Sequence, residues 1–364
     1  MKHEKKLAVG IAGYGVVGKR RRQFIDKHPR LRTMAVCDQK FKKSGIMSDG
    51  VRYFTTYRQL LEQPLDILFV SLPNYLAAEV TVAGLEQGLH VFCEKPPGRD
   101  IQDIEYVIEV EKKHPELVLK YGFNHRYHDS VREALRVVKS GELGEIINMR
   151  GIYGKSKIVP FSGAWRSKRK YAGGGILLDQ GIHMLDLMRL FCGDFTEVKS
   201  FVSNMYWKHD VEDNAYAVMR NSHGHIALLH SSATQWQHRF TFDIALTNGF
   251  LELHGIITGS KSYGGEKLVI GKRDESDVGT QWHKTINYLE DNSWRDEICE
   301  FTDSILGNKE VQNGSSADAL ASMKLVYRIY YADPEWQKAH SISNPDREET
   351  KKQRKNYEKY KIPA

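Results

Sequence analysis

Three side chains have the types and the spacing to move a proton beside a reacting carbon. Lys95 lies in the tripeptide Glu94-Lys95-Pro96, and Asp179 and His183 are four residues apart behind a triple glycine. On a helix, this separation places a carboxylate and an imidazole on one face. Both residues begin an otherwise apolar segment, where a polar group is costly to bury unless it is paired or used. We therefore expect these three residues to form a functional group.

A second candidate site is the glycine-rich segment near the N-terminus. The sequence from Gly13 to Gly18 has GxGxxG spacing, follows a predicted strand and opens a predicted helix. The first glycine permits a tight turn, the second lets the backbone approach a pyrophosphate, and the third allows close packing of helix on strand. The turn therefore predicts dinucleotide binding. Its expected contacts are Gly13, Gly15, Val16, Val17 and Gly18.

Asp38 supports the same site. It comes directly after the second predicted strand, twenty residues beyond Gly18, where an acidic side chain binds the ribose hydroxyls of NAD. A carboxylate here would repel the additional phosphate of NADP, whereas Lys40, Lys42 and Lys43 could bind it. We expect NAD as the cofactor, with NADP as the weaker alternative.

The first 123 residues alternate between apolar β-type runs and helical patterns, which predicts a doubly wound parallel sheet. The predicted strands are Leu7–Ala12, Arg32–Cys37, Asp66–Ser71, His90–Cys93 and Leu117–Gly122. The predicted helices are Val16–His28, Leu76–Gln87 and Ile101–Lys113. Because ligands bind beyond the carboxyl ends of such strands, Lys95 should point towards the nicotinamide.

The pattern changes after Asn124. We predict helices at Val131–Lys139, within Gly175–Phe191, at Trp294–Ile305 and at Ala317–Tyr331. Between residues 195 and 290 only β-type runs occur, which predicts an antiparallel sheet. The expected division is a dinucleotide-binding domain at 1–123, an α+β substrate and oligomerisation domain at 124–344, and a charged tail at 345–364.

Composition excludes several classes of protein. The chain has 364 residues, 41% of them apolar and 27% charged, which is a globular balance. No apolar run approaches the roughly 20 residues of a membrane span. The net charge of +7 comes without an aromatic–basic module or a helix-turn-helix pattern, so we expect no nucleic-acid partner. The four scattered cysteines predict no metal site and a cytoplasmic location.

Taken together, these motifs resemble the glucose–fructose oxidoreductase/inositol dehydrogenase (Gfo/Idh/MocA) family. The resemblance covers nearly the whole chain. It rests on the GxGxxG turn, Glu94-Lys95-Pro96, Trp165-Arg166, the block Gly173-Gly174-Gly175 to Asp179, Gly181, His183 and Asp186, and the late pair Trp294 and Glu297. One departure is Ala77, three residues after Asn74, where the family commonly has a histidine.

This resemblance implies a Rossmann domain, a C-terminal α+β domain with a large open, mainly antiparallel sheet, and NAD(P)-linked oxidation or reduction of sugars and polyols. It matches Lys95, Asp179 and His183 to the family's catalytic positions. The further cofactor contacts that it implies are Pro73, Asn74, Glu94 and Lys95. The substrate contacts that it implies are Lys95, Asn124, Arg126, Trp165, Arg166, Asp179 and His183.

The mechanism that we expect is hydride transfer between a sugar carbinol carbon and the nicotinamide. His183 takes the hydroxyl proton, since an unperturbed imidazole has a pKa of about 6.5. Lys95 stabilises the charge that develops on the same oxygen. Asp179 orients the imidazole or binds a neighbouring hydroxyl. Lys95 and His183 can exchange the proton-transfer role, and the sequence leaves that choice open.

The substrate is the least defined feature. Cations at Arg166, Lys168, Arg169 and Lys170 precede the triple glycine, and arginine matches phosphate oxygens in a bidentate manner. We therefore expect a sugar nucleotide or sugar phosphate, with a free sugar or inositol as the alternative. A non-catalytic NAD-binding regulator is a further alternative, which the presence of all three catalytic residues disfavours.

The side-chain pattern of residues 226–246 predicts that the chain forms an oligomer. Small and apolar side chains alternate so that both faces of the strand are partly apolar, which a solvated sheet face does not need. We expect one face to pack on the domain's own helices. The other face is expected to pack on a second subunit, which gives a homodimer or homotetramer.

Overall fold

The structure, a computed structural model, describes residues 6–156, 165–273 and 280–347. Most of the predicted charged tail therefore lies outside the described residues. The first part of the chain forms β1 (Leu7–Ala12), α1 (Val16–Lys27), β2 (Leu31–Cys37), β3 (Gly45–Ile46), β4 (Arg52–Phe54), α2 (Tyr57–Leu61), β5 (Ile67–Val70), α3 (Asn74–Glu86), β6 (His90–Glu94), α4 (Ile101–Glu111) and β7 (Leu119–Gly122).

The elements of the second part continue this numbering. They are α5 (Asp129–Ser140), β8 (Ile146–Gly154), α6 (Arg169–Ala172), α7 (Ile182–Cys192), β9 (Phe195–Ser203), β10 (Asn214–Asn221), β11 (Ile226–Ser232), β12 (Arg239–Leu246), β13 (Gly249–His254), β14 (Glu266–Arg273), β15 (Thr280–Tyr288), α8 (Ser293–Gly307), α9 (Ser316–Ala332) and α10 (Pro334–Ala339).

The first sheet has the strand order β3-β4-β2-β1-β5-β6-β7. All its pairings are parallel except the short one between β3 and β4. Helices α3 and α4 contribute to an apolar layer on the sheet, and α1 contributes to a second layer. The doubly wound prediction is confirmed. The short elements β3, β4 and α2 were not predicted, because each is too short to show a period.

The second sheet has the strand order β15-β14-β13-β12-β8-β11-β10-β9. The mainly antiparallel prediction is confirmed, with one exception: β8 pairs with β11 in parallel. Strand β8 was missed, although it lies at the centre of the sheet. Its sequence has exposed side chains at Ile147 and Asn148 and a glycine in its middle, so the alternation that indicates a strand is broken.

Helix α8 returns to the first sheet after the second sheet is complete. Phe301 packs edge-on against Phe69 and Phe92, with ring centroids 5.8 and 5.5 Å away. Helix α9 lies between β9 and α4 and so contacts both sheets. The two parts of the chain are therefore joined by helices as well as by the backbone, and the boundary at residue 123 stays a prediction.

Among the described residues, the structure contains no helix of the length and apolarity that a bilayer requires.

Candidate active site

The glycine turn has the geometry of a dinucleotide cradle. Gly13 has φ of +91°, and a Cβ there would lie 2.3 Å from the Ser71 carbonyl oxygen. A Cβ at Gly18 would lie 2.0 Å from the Gly13 carbonyl oxygen, so helix α1 packs too closely for any side chain. A Cβ at Gly15 would meet nothing within 4 Å. Gly15 thus leaves open space at the start of α1, and the turn fits a pyrophosphate.

Asp38 lies beside this turn. The Gly13 N–H donates to the Cys37 carbonyl at 2.9 Å, so the turn and the end of β2 are joined directly. The Asp38 carboxylate accepts only a local bond in the described structure, from the Lys40 N–H at 2.9 Å. Asp38 is half-buried, and its expected contact with a ribose diol stays a prediction. The expected NAD contacts of Gly13, Gly15, Val16, Val17, Gly18 and Asp38 therefore share one edge of the first sheet.

The predicted catalytic residues come together at the same edge. Lys95 follows β6, and its Nζ donates to the Asp179 carbonyl oxygen at 2.6 Å. The Asp179 carboxylate instead faces Lys155, whose Nζ lies 3.1 Å from Oδ2. Asp179 belongs to a π-helical turn, Leu177–Gly181, that precedes α7. Such turns occur often at functional sites, and this one lets the carbonyl and the carboxylate bind different lysines.

His183 is held by a different contact from the one predicted. Its imidazole lies parallel to that of His125, with centroids 3.7 Å apart and planes at 15°. The side chain is 3% exposed, and its Nδ1 has no hydrogen-bond partner among the described residues. No hydrogen bond among those described joins it to Asp179. The structure gives no support to the expectation that Asp179 orients the imidazole, because the π-helical turn directs the carboxylate to Lys155; the alternative that Asp179 binds a neighbouring hydroxyl stays a prediction.

His125 is itself fixed on both ring nitrogens. Nδ1 lies 3.2 Å from the Asn124 amide oxygen, and Nε2 lies 2.9 Å from the Tyr153 hydroxyl. The amide oxygen can only accept, so Nδ1 carries the proton and Nε2 accepts from Tyr153. Asn124 also donates to the Ser293 hydroxyl at 3.1 Å. Asn124 thus reaches the site through His125.

Burial and neighbouring charge perturb this group strongly. Burial lowers the pKa of Lys95, and Lys155 lowers it further, while Asp179 opposes both. Burial and the adjacent His125 lower the pKa of His183 well below its usual range. Burial would raise the pKa of Asp179, but Lys155 and Lys95 outweigh it and lower that pKa. The site therefore holds a neutral imidazole, a carboxylate and a lysine that releases its proton more readily than usual.

A cavity lies beside these residues. Asn74, Trp165, Arg166 and Asp179 line it together with the triple-glycine segment. Asn74 also donates to the Ala172 carbonyl at 2.7 Å and so anchors that segment to α3. Pro73 immediately precedes α3. The structure therefore brings Asn74, Trp165 and Arg166 to the site as the sequence predicts.

Two predicted site residues have other partners. Arg126 pairs with Asp186 at 2.7 and 2.6 Å and with Asp318 at 3.1 Å, and it is 7% exposed. It joins α7 to α9 through these two carboxylates, which already occupy its guanidinium, so its expected substrate contact stays a prediction without support from this geometry. The Glu94 carboxylate accepts from Arg21 at 2.6 Å, and its expected contact with the cofactor stays a prediction.

The four basic residues before the triple glycine also lie in different surroundings. Arg166 lines the cavity, with its guanidinium 4.3 Å from the Trp165 ring centroid. The Arg169 guanidinium lies 5.2 Å from the Tyr330 ring, and its charge acts on the buried Glu212. Lys168 and Lys170 are exposed. The four cations therefore do not converge on one phosphate.

Sequence reasoning missed Lys155, His125, Tyr153 and Tyr263. Tyr263 is 9% exposed, and its ring centroid lies 5.4 Å from that of Tyr153. Strand β8, which carries Lys155 and Tyr153 to the site, was not predicted, so no local signal marked these residues.

The fold and the glycine turn define a dinucleotide-binding protein with a parallel sheet and a second, mainly antiparallel sheet. Residues 7–122 match the family described as oxidoreductase, NAD-binding Rossmann fold. Residues 131–252 match the Gfo/Idh/MocA C-terminal domain. The two matches together span more than half of the chain, and it belongs to the Gfo/Idh/MocA family. The resemblance to this family that the sequence motifs indicated is confirmed, and the N-terminal domain is an NAD-binding Rossmann domain.

Named relatives are more distant. The chain is 27% identical over 215 residues to levoglucosan dehydrogenase of Pseudarthrobacter phenanthrenivorans. The matched region covers 55% of this chain and 54% of that enzyme. It is 29% identical over 248 residues to D-glucoside 3-dehydrogenase of Escherichia coli, covering 62% of this chain and 70% of that enzyme. The chain thus spans about half the length of the first relative. A solved levoglucosan dehydrogenase complex with NADH has a TM-score of 0.78 at 19% identity, covering 91% of this chain and 98% of that one. It shows the same fold.

Proposed function

We propose that this protein is an NAD-dependent oxidoreductase that transfers a hydride between the nicotinamide and a secondary hydroxyl or keto carbon of a sugar. One observation carries the proposal. The Lys95 ammonium lies at the carboxyl end of β6, bonded to the Asp179 carbonyl at 2.6 Å, at the same sheet edge as the glycine turn. Dehydrogenases of sugars and glucosides among the relatives support this class of reaction.

The proton chemistry favours Lys95 over His183. A group takes a proton best when its pKa lies near the working pH. Burial moves the pKa of Lys95 down towards that range and moves the pKa of His183 down and away from it. We therefore assign the hydroxyl proton to Lys95. His183 then binds the same hydroxyl as a neutral imidazole, and Asp179 with Lys155 holds the π-helical turn that positions Lys95. The bound nicotinamide supplies or accepts the hydride.

An uncharged sugar is the substrate class that we favour. The argument for a phosphate depended on four converging cations, and Arg169 is instead turned to Tyr330. A sugar phosphate or sugar nucleotide remains a second candidate, because Arg166 lines the cavity and guanidinium groups bind phosphate well. Both candidates use the same Lys95, Asp179 and His183.

A panel assay tests the proposal. The protein is mixed with NAD and free sugars, inositols, glycosides, sugar phosphates and sugar nucleotides, and the absorbance of NADH is followed. We expect formation of NADH with at least one sugar class, and its loss in Lys95→Met. NAD binding without turnover of any of these compounds, in either direction, would support a non-catalytic regulator instead.

We also propose that the second sheet forms a homo-oligomer interface. Its helix-free face exposes a row of apolar side chains on β9, β10 and β11. They are Phe201 at 81%, Tyr216 at 49%, Val218 at 48%, Ile226 at 46% and Leu228 at 38%. Contiguous apolar patches of this kind are rarely left in water. The opposite side chains on β11, Ala227 and Leu229, are buried under the domain's own helices.

A further inference from the structure

A group of exposed aromatic side chains lies outside the site described so far. Tyr206 and Trp207 follow β9, and Trp236 follows β11; we call these three residues the aromatic ledge. Tyr206 is 57% exposed and Trp236 is 60% exposed. The Tyr206 ring packs edge-on against both Trp207 and Trp236, with centroids 4.8 Å apart in each case. The ledge therefore presents broad apolar ring surface to solvent.

The ledge is held in place by buried groups. The Asp213 carboxylate, which is fully buried, accepts from the N–H groups of Tyr206 and Trp207 at 2.8 and 3.0 Å. The Trp207 indole donates to the Ala233 carbonyl at 2.9 Å. Trp236 has φ of +56°, a conformation that a bulky residue keeps only where the surrounding structure enforces it. The ring surface is thus preformed.

The ledge is continuous with the active site. The Gln235 N–H, one residue before Trp236, donates to the Lys155 carbonyl at 3.2 Å. Lys155 is the residue whose Nζ lies 3.1 Å from the Asp179 carboxylate. On the other side, the Asp210 N–H donates to the Ser167 carbonyl at 3.2 Å, next to Arg166 at the cavity. The ledge therefore lies beside the residues of the site.

We propose that the aromatic ledge forms a second sugar subsite, which binds the ring attached to the sugar that reacts at Lys95. The apolar C–H face of a pyranose can lie on the exposed rings. The substrate class is then a disaccharide or other glycoside rather than a free monosaccharide. This inference rests on the proposed oxidoreductase function. It explains why rigid aromatic surface lies beside a polar site.

Binding is measured by calorimetry on the protein saturated with NADH, with glucose, methyl glucoside, maltose and cellobiose as ligands. Since an aromatic contact contributes up to about tenfold in affinity, we expect at least one disaccharide to bind about tenfold more tightly than glucose. Trp236→Ala removes this advantage and leaves glucose binding unchanged, whereas Trp236→Phe keeps most of it. Tyr206→Ala, at an exposed position, gives a second test should Trp236→Ala fold poorly.

The control variant is Trp282→Ala, which removes an equally exposed tryptophan (51%) from β15, at the opposite end of the sheet. It should not change binding. Equal affinities for glucose and both disaccharides overturn the inference. A lower mass of the Trp236→Ala variant in light scattering overturns it as well, because the ledge would then be a subunit contact. If monosaccharides are oxidised in a Lys95-dependent way without a disaccharide advantage, the oxidoreductase function stands and the second subsite fails. If no sugar gives NADH, the proposed function fails and the inference with it.

Discussion

The imidazoles of His125 and His183 lie face to face at 3.7 Å, and His125 is bonded on both ring nitrogens while the Nδ1 of His183 is not. The pair therefore contains one fixed ring and one ring that depends on it. Asn124 and Tyr153 determine the tautomer and plane of His125, and the stack transmits that plane to His183. His125 is a positioning residue in this arrangement.

Replacing His125 tests the stack. His125→Ala removes the surface on which His183 lies, and we expect turnover to fall by about 10- to 100-fold, since small displacements in a site have effects of this size. His125→Phe keeps a ring and should retain most of the turnover. It also removes a titratable neighbour that lowers the pKa of His183, so that pKa should rise, while burial, the larger cause, still holds it below its ordinary value. Steady-state kinetics and NMR titration measure the two effects. Equal losses in both variants would contradict a role for ring packing.

The dependence of the rate on pH tests the assignment of Lys95. Oxidation requires the free amine, so its rate should increase with pH and level off above the pKa of Lys95. Reduction requires the ammonium, so its rate should decrease through the same pKa. Because burial lowers this pKa, both transitions should lie below the ordinary lysine value of about 10.4. NADH absorbance measured in both directions gives the profiles.

Lys95→Met provides the matching control. We expect turnover to fall by about 100-fold or more, with NAD affinity largely retained, because the lysine acts on the reacting oxygen. The pH dependence should disappear with it. A transition that persists in Lys95→Met would assign the titrating group elsewhere.

The cofactor preference depends on Asp38. With its carboxylate beside the glycine turn, the protein should bind NAD more tightly than NADP, and Asp38→Ala should narrow the difference. Calorimetry with both cofactors measures it. Equal affinities in the unmodified protein would show that Lys40, Lys42 and Lys43 outweigh the carboxylate.

The outcome of the sequence analysis follows the range over which each signal acts. The glycine turn, Asp38 and the first sheet could be predicted because each strand, turn and helix is encoded within a few neighbouring residues. Lys95 was found for the same reason, as it follows a strand directly. The separation of Asp179 from His183 was read as ordinary helix. The π-helical turn that separates their roles has no signature in the spacing.

The missed residues depend on long-range pairing. Lys155 reaches Asp179 because β8 pairs with β11 in parallel and with β12 in antiparallel register, and no local pattern specifies that arrangement. Arg126 and Arg169 also depend on distant partners. The resemblance implied a substrate contact for Arg126, and the run of cations suggested one for Arg169, but the fold supplies carboxylates for Arg126 and a Tyr330 ring for Arg169.

Burial of Arg21 gives a prediction for stability. Arg21 and Glu297 are fully buried and paired at 2.6 Å, and they join α1 to α8. Glu297→Ala leaves part of a buried guanidinium unpaired, which typically costs about 3–5 kcal/mol, and denaturant unfolding should show this loss. Glu133→Ala, which breaks an exposed pair with Arg136 in α5, should leave the free energy of unfolding nearly unchanged. Similar losses in both variants would contradict the interpretation.

The sheet interface predicts a change in mass. Phe201 is the most exposed side chain of the apolar row, at 81%, so Phe201→Glu should dissociate the oligomer into single chains. Ile46→Glu is the control, since Ile46 is 69% exposed on β3 of the other sheet. Light scattering at micromolar concentration measures both. If the unmodified protein has the mass of a single chain, the proposed interface is contradicted.

The charge of the substrate can be read from Arg166 and Arg169, which are three residues apart but have different surroundings. Arg166 lines the cavity, so if the substrate carries a phosphate, Arg166→Ala should raise its KM by about tenfold or more, the typical effect of losing a charge-assisted hydrogen bond. The KM of a free sugar should not change. Arg169 lies on Tyr330 beside Glu212, so Arg169→Ala should lower the unfolding midpoint and leave both KM values unaltered. If only uncharged sugars are turned over and Arg166→Ala changes none of their KM values, phosphate-bearing compounds are excluded as substrates. A selective effect of Arg169→Ala on phosphorylated sugars would show instead that this side chain turns into the cavity when substrate binds.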